Sequence, residues 1–499
     1  MGKISRWIDD RIDLKTLRAQ LLDRKVPWGL TWWHTLGSAT LTVFSVQVVT
    51  GVILAMYYSP SPDHAYDSIR YIEQTVLSGS LLRGLHHWSA SAMVVLVLAH
   101  MIRVFSLGAY KYPREMSWLF GVALLFIVLG FSFTGYLLPW DQKAYWATQV
   151  GTNIAGSAPL IGGVMVKLLR GGAQLGAGTL TRFFALHVLL LPLLLIGFVL
   201  LHISLVIRQG MAPRPMALEV DAPARTSDPE YPAYYHDRYA KAKVADTRFW
   251  PDMIGKDVAV ATVVILVLFL MAWFVGAGLE PPADPSDTSY VPLPEWYFLP
   301  FFQLLKLVPG KYESLVTVGV PIALVLILVL LPFLDRGSKR SLFRRPVGGV
   351  ALVGALLGSG LLLWGALRGD RENVRLATAG VPLTALERAG RALVKSQNCS
   401  ACHVIGDQKP DSTGEENDAP DLSDVGFRHT SGWLHSFIEL PTRFHPDSKM
   451  PAYGLPKLSH MEMEQVARYL ATLRGTHAMT EPPQIVDTFP EPVKTPEPQ

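Results

Sequence analysis

Cysteine is almost missing from this chain, with two in 499 residues. Both sit in Cys399-Ser400-Ala401-Cys402-His403, so a disulfide framework is excluded because nothing else remains to pair. Charge is scarce as well. Asp, Glu, Lys and Arg make up 17% of the residues against 50% hydrophobic, and the mean hydropathy is positive. A single soluble domain of this length does not have that balance. No cleavable leader is visible: the first thirty or so residues are charged and amphipathic and lack a short apolar core. The net charge of +4 is small and is accounted for by the loops below, so it gives no ground for nucleic-acid binding.

What is present is length in apolar runs. Seven stretches approach spanning length, at about 33–57, 84–107, 117–138, 183–207, 257–279, 315–334 and 347–367. The segment at about 160–181 is too short and is interrupted by Lys167 and Arg170. The N-terminal arm carries Lys3, Arg6, Arg11, Lys15, Arg18, Arg24 and Lys25, which places it in the cytoplasm. Arg103, Lys111, Arg114, Arg208, Arg214 and the cluster Arg336, Lys339, Arg340, Arg344 and Arg345 then also fall inside. Lys143 and Arg182 fall outside, against the trend. Seven crossings deliver the C-terminus to the outer side. The CxxCH motif lies there, and that motif is the signature of covalent c-type haem attachment, an outer-compartment process.

Two apolar segments each hold a pair of histidines, His86 and His100 in one, His187 and His202 in the other. On a helix, separations of fourteen and fifteen residues return to nearly one face, displaced by roughly 21 Å along the axis. Ionisable groups at membrane depth are costly, and neutral imidazole is an axial ligand of haem iron. The plain alternative for any one ring is a hydrogen bond to a neighbouring helix. Two matched pairs favour clamping two haems, one above the other.

The expected fold is all-α, a polytopic bundle of seven transmembrane helices with a cytoplasmic N-terminus, followed by a small all-α cytochrome c domain outside. Four spans form residues 1–208, a cytoplasmic connector rich in Pro, Asp, Tyr and Lys opens residues 209–368, and 369–383 reads as a polar linker. The tail domain, 384–480, starts with an amphipathic helix running into CxxCH and closes with another whose Tyr469 and Leu470 pack on the first. Residues 481–499, rich in Pro and Glu, read as disordered, and the acidic segment around 407–418 as a solvated loop. Cys399 and Cys402 take the macrocycle and His403 is the proximal ligand. Met450, just before the closing helix, is the choice for the distal ligand, with His429, His435, His445 and His460 as alternatives. The Pro420 carbonyl is expected to accept the ring N–H of His403.

At this point residues 20–367 resemble cytochrome b of the quinol:cytochrome c (cytochrome bc) oxidoreductases, in particular the chloroplast-type branch with four helices and a separate three-helix subunit. Here both pieces are joined. The resemblance includes Gly37, Gly51, Gly121 and Gly135, where a missing side chain lets a flat macrocycle approach the helix. It implies that His86 and His187 ligate an outer haem b and His100 and His202 an inner one. It sets Arg83, Arg103 and Arg114 beside haem propionates, and His87 in a place where that branch has arginine. Pro294-Glu295-Trp296-Tyr297 is similar to the PEWY motif of the outer quinol-oxidation site, Glu295 being the proton acceptor and Tyr297 shaping the pocket. Tyr136, Pro139, Trp140 and Asp141 resemble its opposite wall.

Two departures stand out. Thr35 replaces the cysteine that binds an extra haem in the chloroplast-type branch, so that haem is not expected. Lys256 and Asp257 are similar to the proton-donating pair of the cytoplasmic quinone site in the mitochondrial-type branch, while Arg208 stands near a position that has histidine there. The resemblance implies a proton-motive quinol:cytochrome c reductase core in a bacterial cytoplasmic membrane. It further implies a separate Rieske iron–sulfur subunit, since no cysteine is left to build one here, and a homodimeric complex. A cytochrome c, soluble or membrane-bound, or a terminal oxidase would accept the electron. The alternative is a haem-bearing anchor that relays electrons without bifurcating them.

Overall fold

The computed structural model describes residues 3–13, 16, 18–19, 22–172, 174–243, 248–283, 285, 294–309, 312, 314–379, 383–405, 419–446 and 448–475, with backbone alone at 3–6 and 369–379. The acidic segment around 407–418 and the tail from 481 lie outside them. Among the described residues the regular structure is helical, and seven helices are long and apolar enough to cross a membrane: Trp32–Ala55, Gly79–Ser106, Glu115–Tyr136, Ala177–Gln209, Phe249–Phe274, Leu315–Leu334 and Pro346–Arg368. We number them as spans one to seven.

The core of the membrane unit lies between spans one to five. Val43, Met93, Val94, Val97, Met101, Val122, Leu125, Val128, Leu195 and Leu268 form one buried cluster. The Trp118 indole reaches the Leu328 carbonyl at 2.7 Å and ties span three to span six. The fourth span is not a regular helix throughout. Residues Leu186–Leu190 form a π turn, with the Leu191 N–H bonded to the Leu186 carbonyl. Pro192 explains it: its ring has no N–H for the Val188 carbonyl and crowds it, and a widened turn relieves the clash.

The connector, read from sequence only as polar and Pro-rich, contains a helix, Tyr231–Ala242, whose Tyr231, Tyr235 and Tyr239 are buried at four-residue intervals. It packs where three loops meet. Lys111, with a fully buried side chain, donates to Asp335 Oδ1 at 2.7 Å and to the carbonyls of Gly337 and Lys339 at 2.8 Å. Tyr110 also donates to Asp335, and Arg345 reaches Asp335 Oδ2 at 3.2 Å. Burial lowers the Lys111 ammonium to about 8, even though Asp335 opposes the shift, and Lys111 and Tyr110 hold the Asp335 carboxyl below its usual range despite burial. On the other side of the bundle, the nine-residue helix Gly162–Arg170 is a short element between spans three and four.

The tail is a separate unit. Helices Ala385–Ser396, Ser431–Glu439 and His460–Ala471 surround a core of Val394, Trp433, Leu434, Ile438, Met463, Val466, Tyr469 and Leu470. The first and last start at capping boxes, Thr384 with Glu387 and Ser459 with Glu462. Their crossing depends on a residue the sequence did not flag. A Cβ on Gly390 would lie 1.9 Å from the Gln465 carbonyl oxygen and 2.9 Å from the Tyr469 Cβ, so only glycine permits this approach. Helix continues from Pro346 to Ala379, through the first part of the segment read as a polar linker. Its run of Arg, Glu, Leu and Ala favours helix, and no proline occurs before Pro382.

Asp335→Ala strands the Lys111 ammonium among carbonyls. The expected loss is about 3 kcal/mol, the cost of breaking a buried pair from one side, read as a lower unfolding temperature of the detergent-purified protein.

Candidate functional site

Spans two and four bring their histidines face to face. The His86 and His187 ring centres lie 6.3 Å apart, with planes at 69°. A metal ion bound at about 2 Å from each of two ring nitrogens holds the ring centres roughly 6 Å apart. The rings are therefore spaced to hold one ion between them. Each is fixed through Nδ1, which lies 2.9 Å from the Thr50 hydroxyl in His86 and 3.1 Å from the Thr134 hydroxyl in His187. Such contacts orient a ligand ring and leave Nε2 for the metal. Further along, His202 lies within electrostatic reach of His100.

The four glycines show what else belongs there. A Cβ on Gly51 would meet the His86 Cε1 at 3.2 Å and one on Gly135 the His187 Cε1 at 2.5 Å; on Gly37 and Gly121 it would meet the Cε1 atoms of His100 and His202 at 3.4 and 3.7 Å. Spans one and three thus each present a bare backbone to one histidine at each level, the cradle a flat macrocycle needs. Arg103 adds charge. Its Nε is buried without a hydrogen-bond partner among the described residues, and it lies within electrostatic reach of His100, as a propionate-binding cation should. These residues fit haem.

The π turn accounts for the unequal spacings. Fourteen residues of α-helix return about 40° short of the starting face and fifteen overshoot it by about 60°, and a π turn absorbs one extra residue. Carrying His187 on that turn makes fifteen residues on span four equivalent to fourteen on span two.

At the end of the bundle near His86, Glu295 Oε1 lies 3.1 Å from the Lys143 ammonium. Lys143, an exception to the charge rule in the sequence, has its reason here, and it also sits 5.5 Å from the Tyr136 ring centre. Tyr297 turns the other way, into the bundle, where it bonds the Ser132 hydroxyl and burial raises its phenol well above the ordinary range. Trp296 is exposed and Pro294 half-buried. The wall opposite is stitched by backbone: Ala283 N–H to the Trp140 carbonyl at 3.0 Å, Gln142 N–H to the Pro281 carbonyl at 2.9 Å, and Asp141 accepting from Ala144 and Glu280. His87 lies within electrostatic reach of Glu295, Arg83 and Lys143. Arg83 is engaged by Glu73 and by the Ala277 and Gly278 carbonyls, both at 2.7 Å, so a propionate would have to share it. Arg114 is likewise engaged, by Tyr235 at 2.7 Å and the Gly210 carbonyl.

The opposite end gathers Lys256, Asp257 and residues of span one. Asp257 accepts from the Ser38 hydroxyl at 2.6 Å, and Lys256 donates to the Leu30 carbonyl at 3.1 Å. His34, which the sequence reading passed over, anchors its Nδ1 on Thr31 and leaves a buried Nε2 unpartnered among the described residues, with Arg103 and Lys256 in electrostatic reach. A histidine at the very start of the first apolar run was the signal. The Thr35 hydroxyl is spent on the Trp32 carbonyl at 2.7 Å. Arg208 is exposed at the end of span four and lines a different cavity.

In the tail unit, Cys399, His403 and Met450 line one apolar cleft with Leu422, Tyr453 and Leu470. The His403 Nδ1 lies 2.8 Å from the Pro420 carbonyl oxygen, which leaves Nε2 for the cleft. Cys399 opens a 3₁₀ turn after Asn398, whose φ of 54° makes the reversal. His429 stacks on Trp433 at 3.7 Å, His435 pairs with His460, and His445 lies beside Phe437; none of these four lines the cleft. A histidine and a thioether lining one apolar slot with Cys399, and an exposed Cys402 next to His403 in sequence, fit a covalently held haem.

Fold and sites together define an integral membrane haem protein with a c-type cytochrome domain attached. Residues 21–211 match the family described as Cytochrome b/b6/petB, 282–378 that described as Cytochrome b(C-terminal)/b6/petD, and 387–474 Cytochrome c. The menaquinol:cytochrome c reductase cytochrome b subunit of Bacillus subtilis (strain 168) is 42% identical over 220 residues, 42% of this chain and 98% of that protein. Cytochrome b6 of Gracilaria tenuistipitata var. liui is 39% identical over 212 residues, 42% of this chain and 99% of that protein. A solved structure, "Hyperthermophilic respiratory Complex III", aligns with a TM-score of 0.63 and 31% identity over 72% of this chain and 91% of its own. The chain belongs to the cytochrome b/b6 family, with the C-terminal cytochrome b part and a cytochrome c domain following in the same polypeptide.

Two substitutions separate the sites. Gly135→Leu, which drives a side chain into His187, is expected to remove the b-type absorbance of that level alone in redox-titrated difference spectra. Met450→His is expected to lower the midpoint potential of the c-type haem and leave the b-type bands unchanged.

Proposed function

We propose that this chain is the membrane core of a proton-motive quinol:cytochrome c reductase, with its c-type electron exit fused to cytochrome b. The observation that carries the reading is that carboxylate-bearing stations, Glu295 with Lys143 and Asp257 with Lys256, lie at the two ends of one histidine ladder. His86 and His187 would hold one haem b, His100 and His202 a second, and Cys399, Cys402, His403 and Met450 a haem c. When bound, the haems supply one-electron carriage, the b pair between the two quinone stations and the c-type group as a high-potential exit.

The chain's own residues handle the protons. Glu295 faces the Lys143 ammonium at the edge of the bundle, where it can accept a quinol proton, and its side chain retains 17% exposure, a route for passing that proton to water. Tyr297, partly buried and held by Ser132, is a fixed wall that keeps the ring in place. At the opposite station Lys256 and Asp257 are proton donors to a quinone, with His34 and Ser38 completing the polar surface. Positive loops support a cytoplasmic N-terminus and a periplasmic cytochrome c domain in a bacterial inner membrane. The second quinol electron needs a one-electron acceptor that this chain has no cysteines to build, so a Rieske subunit is a separate polypeptide, in a dimeric complex that delivers electrons to a cytochrome c or a terminal oxidase.

Glu295→Gln is expected to slow quinol oxidation by about a hundredfold, the lower bound for loss of a positioned base, with unchanged haem spectra. Lys143→Gln should show a smaller loss. Full activity in Glu295→Gln would favour the passive haem anchor instead.

A further inference from the structure

Two donors near the His100 level lack an acceptor in the protein. The His34 Nε2 and the Arg103 Nε are both buried without a hydrogen-bond partner among the described residues. The Thr31 N–H can only donate, and it lies 3.1 Å from the His34 Nδ1. The Thr31 carbonyl, farther at 3.2 Å, already accepts the His34 N–H. Nδ1 is therefore the acceptor, and the proton of the neutral ring sits on Nε2. The charged groups in electrostatic reach of that ring are Arg103, Lys256 and Arg214, and none of them offers an acceptor. A buried donor without an acceptor is costly, a buried cation without an anion more so, and one bound carboxylate removes both costs.

The helical register shows where that carboxylate belongs. His34 precedes Gly37 by three residues on span one, and Arg103 follows His100 by three on span two, so each shares a face with a residue of the haem cradle. The two spans run antiparallel, with Gly37 against His100 and Gly51 against His86. Both donors are thus displaced the same way, roughly 5 Å beyond the His100 level, toward the end that holds Lys256 and Asp257. A haem carries both propionates on one edge. We infer that the His34 Nε2–H donates to a propionate of the inner haem b, at the edge that Arg103 neutralises. The inference rests on the reading of a haem b between His100 and His202. A quinone, being uncharged, would satisfy His34 and leave the Arg103 guanidinium without a counterion. His34 stands between the inner haem and the quinone station, and holds the edge of the macrocycle that faces Lys256.

The test uses the purified complex, extracted of quinone and carrying haem labelled with heavy carbon at its propionate carboxyls. Redox-difference infrared spectra read the labelled carboxylate bands, and redox titration reads the potential of each haem. His34→Phe keeps a ring and removes both nitrogens, His34→Leu removes them in a smaller side chain, and His34→Gln returns an N–H donor. In the first two variants one labelled band should shift. The reduced-to-oxidised ratio of the inner haem at fixed potential should fall about threefold, ~30 mV by the one-electron conversion, because the propionate charge loses a hydrogen bond. The outer b-type and the c-type potentials stay unchanged, and His34→Gln brings the band back toward its original position. Labelled bands that coincide in the unmutated protein and the first two variants, all with normal haem spectra, overturn the inference. So does a shift that appears only when quinone is restored, which would assign the donor to the quinone. An unmutated complex without an inner b-type band would overturn the haem reading itself, and the inference with it.

Discussion

An imidazole ring inside a membrane bundle has to be both oriented and given a partner, and the rest of this structure is arranged around doing so for four of them. Spans two and four supply the rings, and spans one and three supply Thr50 and Thr134 to orient the pair at one level. The same two spans withhold side chains at Gly37, Gly51, Gly121 and Gly135, where a Cβ would crowd each ring. One chemical demand therefore fixes the relative rotation of four helices. Even the irregularity in span four serves it, since the π turn before Pro192 brings His187 back into register with His202.

The two ends of the bundle are held by different means. Near Glu295 the chain is sewn by backbone hydrogen bonds between 140–142 and 281–283, which leaves side chains such as Lys143 and Glu295 to face each other. At the other end, charge and phenol groups carry the load. Lys111, Asp335, Arg345 and the tyrosine ladder of the connector lock three loops together. Buried cations there are satisfied mostly by carbonyls, which fixes loop geometry without consuming the carboxylates of Glu295 and Asp257.

The cytochrome c unit solves a smaller version of the same problem. A close crossing at Gly390 brings the opening and closing helices together, and the Pro420 carbonyl holds one nitrogen of the His403 ring, leaving the other for the apolar cleft that His403 shares with Met450.

Sequence alone determined the spans, because about twenty consecutive apolar residues have few fates other than a membrane helix. It also determined the histidine and cysteine positions that define the cofactor chemistry, since imidazole at that depth and CxxCH have narrow uses. It could suggest that the histidines stack, because helical periodicity is a local property. Only the tertiary structure decided that Lys143 meets Glu295, that His34 joins Lys256 and Asp257, that Gly390 sits at a crossing, and that His34 and Arg103 come within electrostatic reach. Those are contacts between residues up to hundreds of positions apart, and no local pattern in the chain encodes a distance across the bundle.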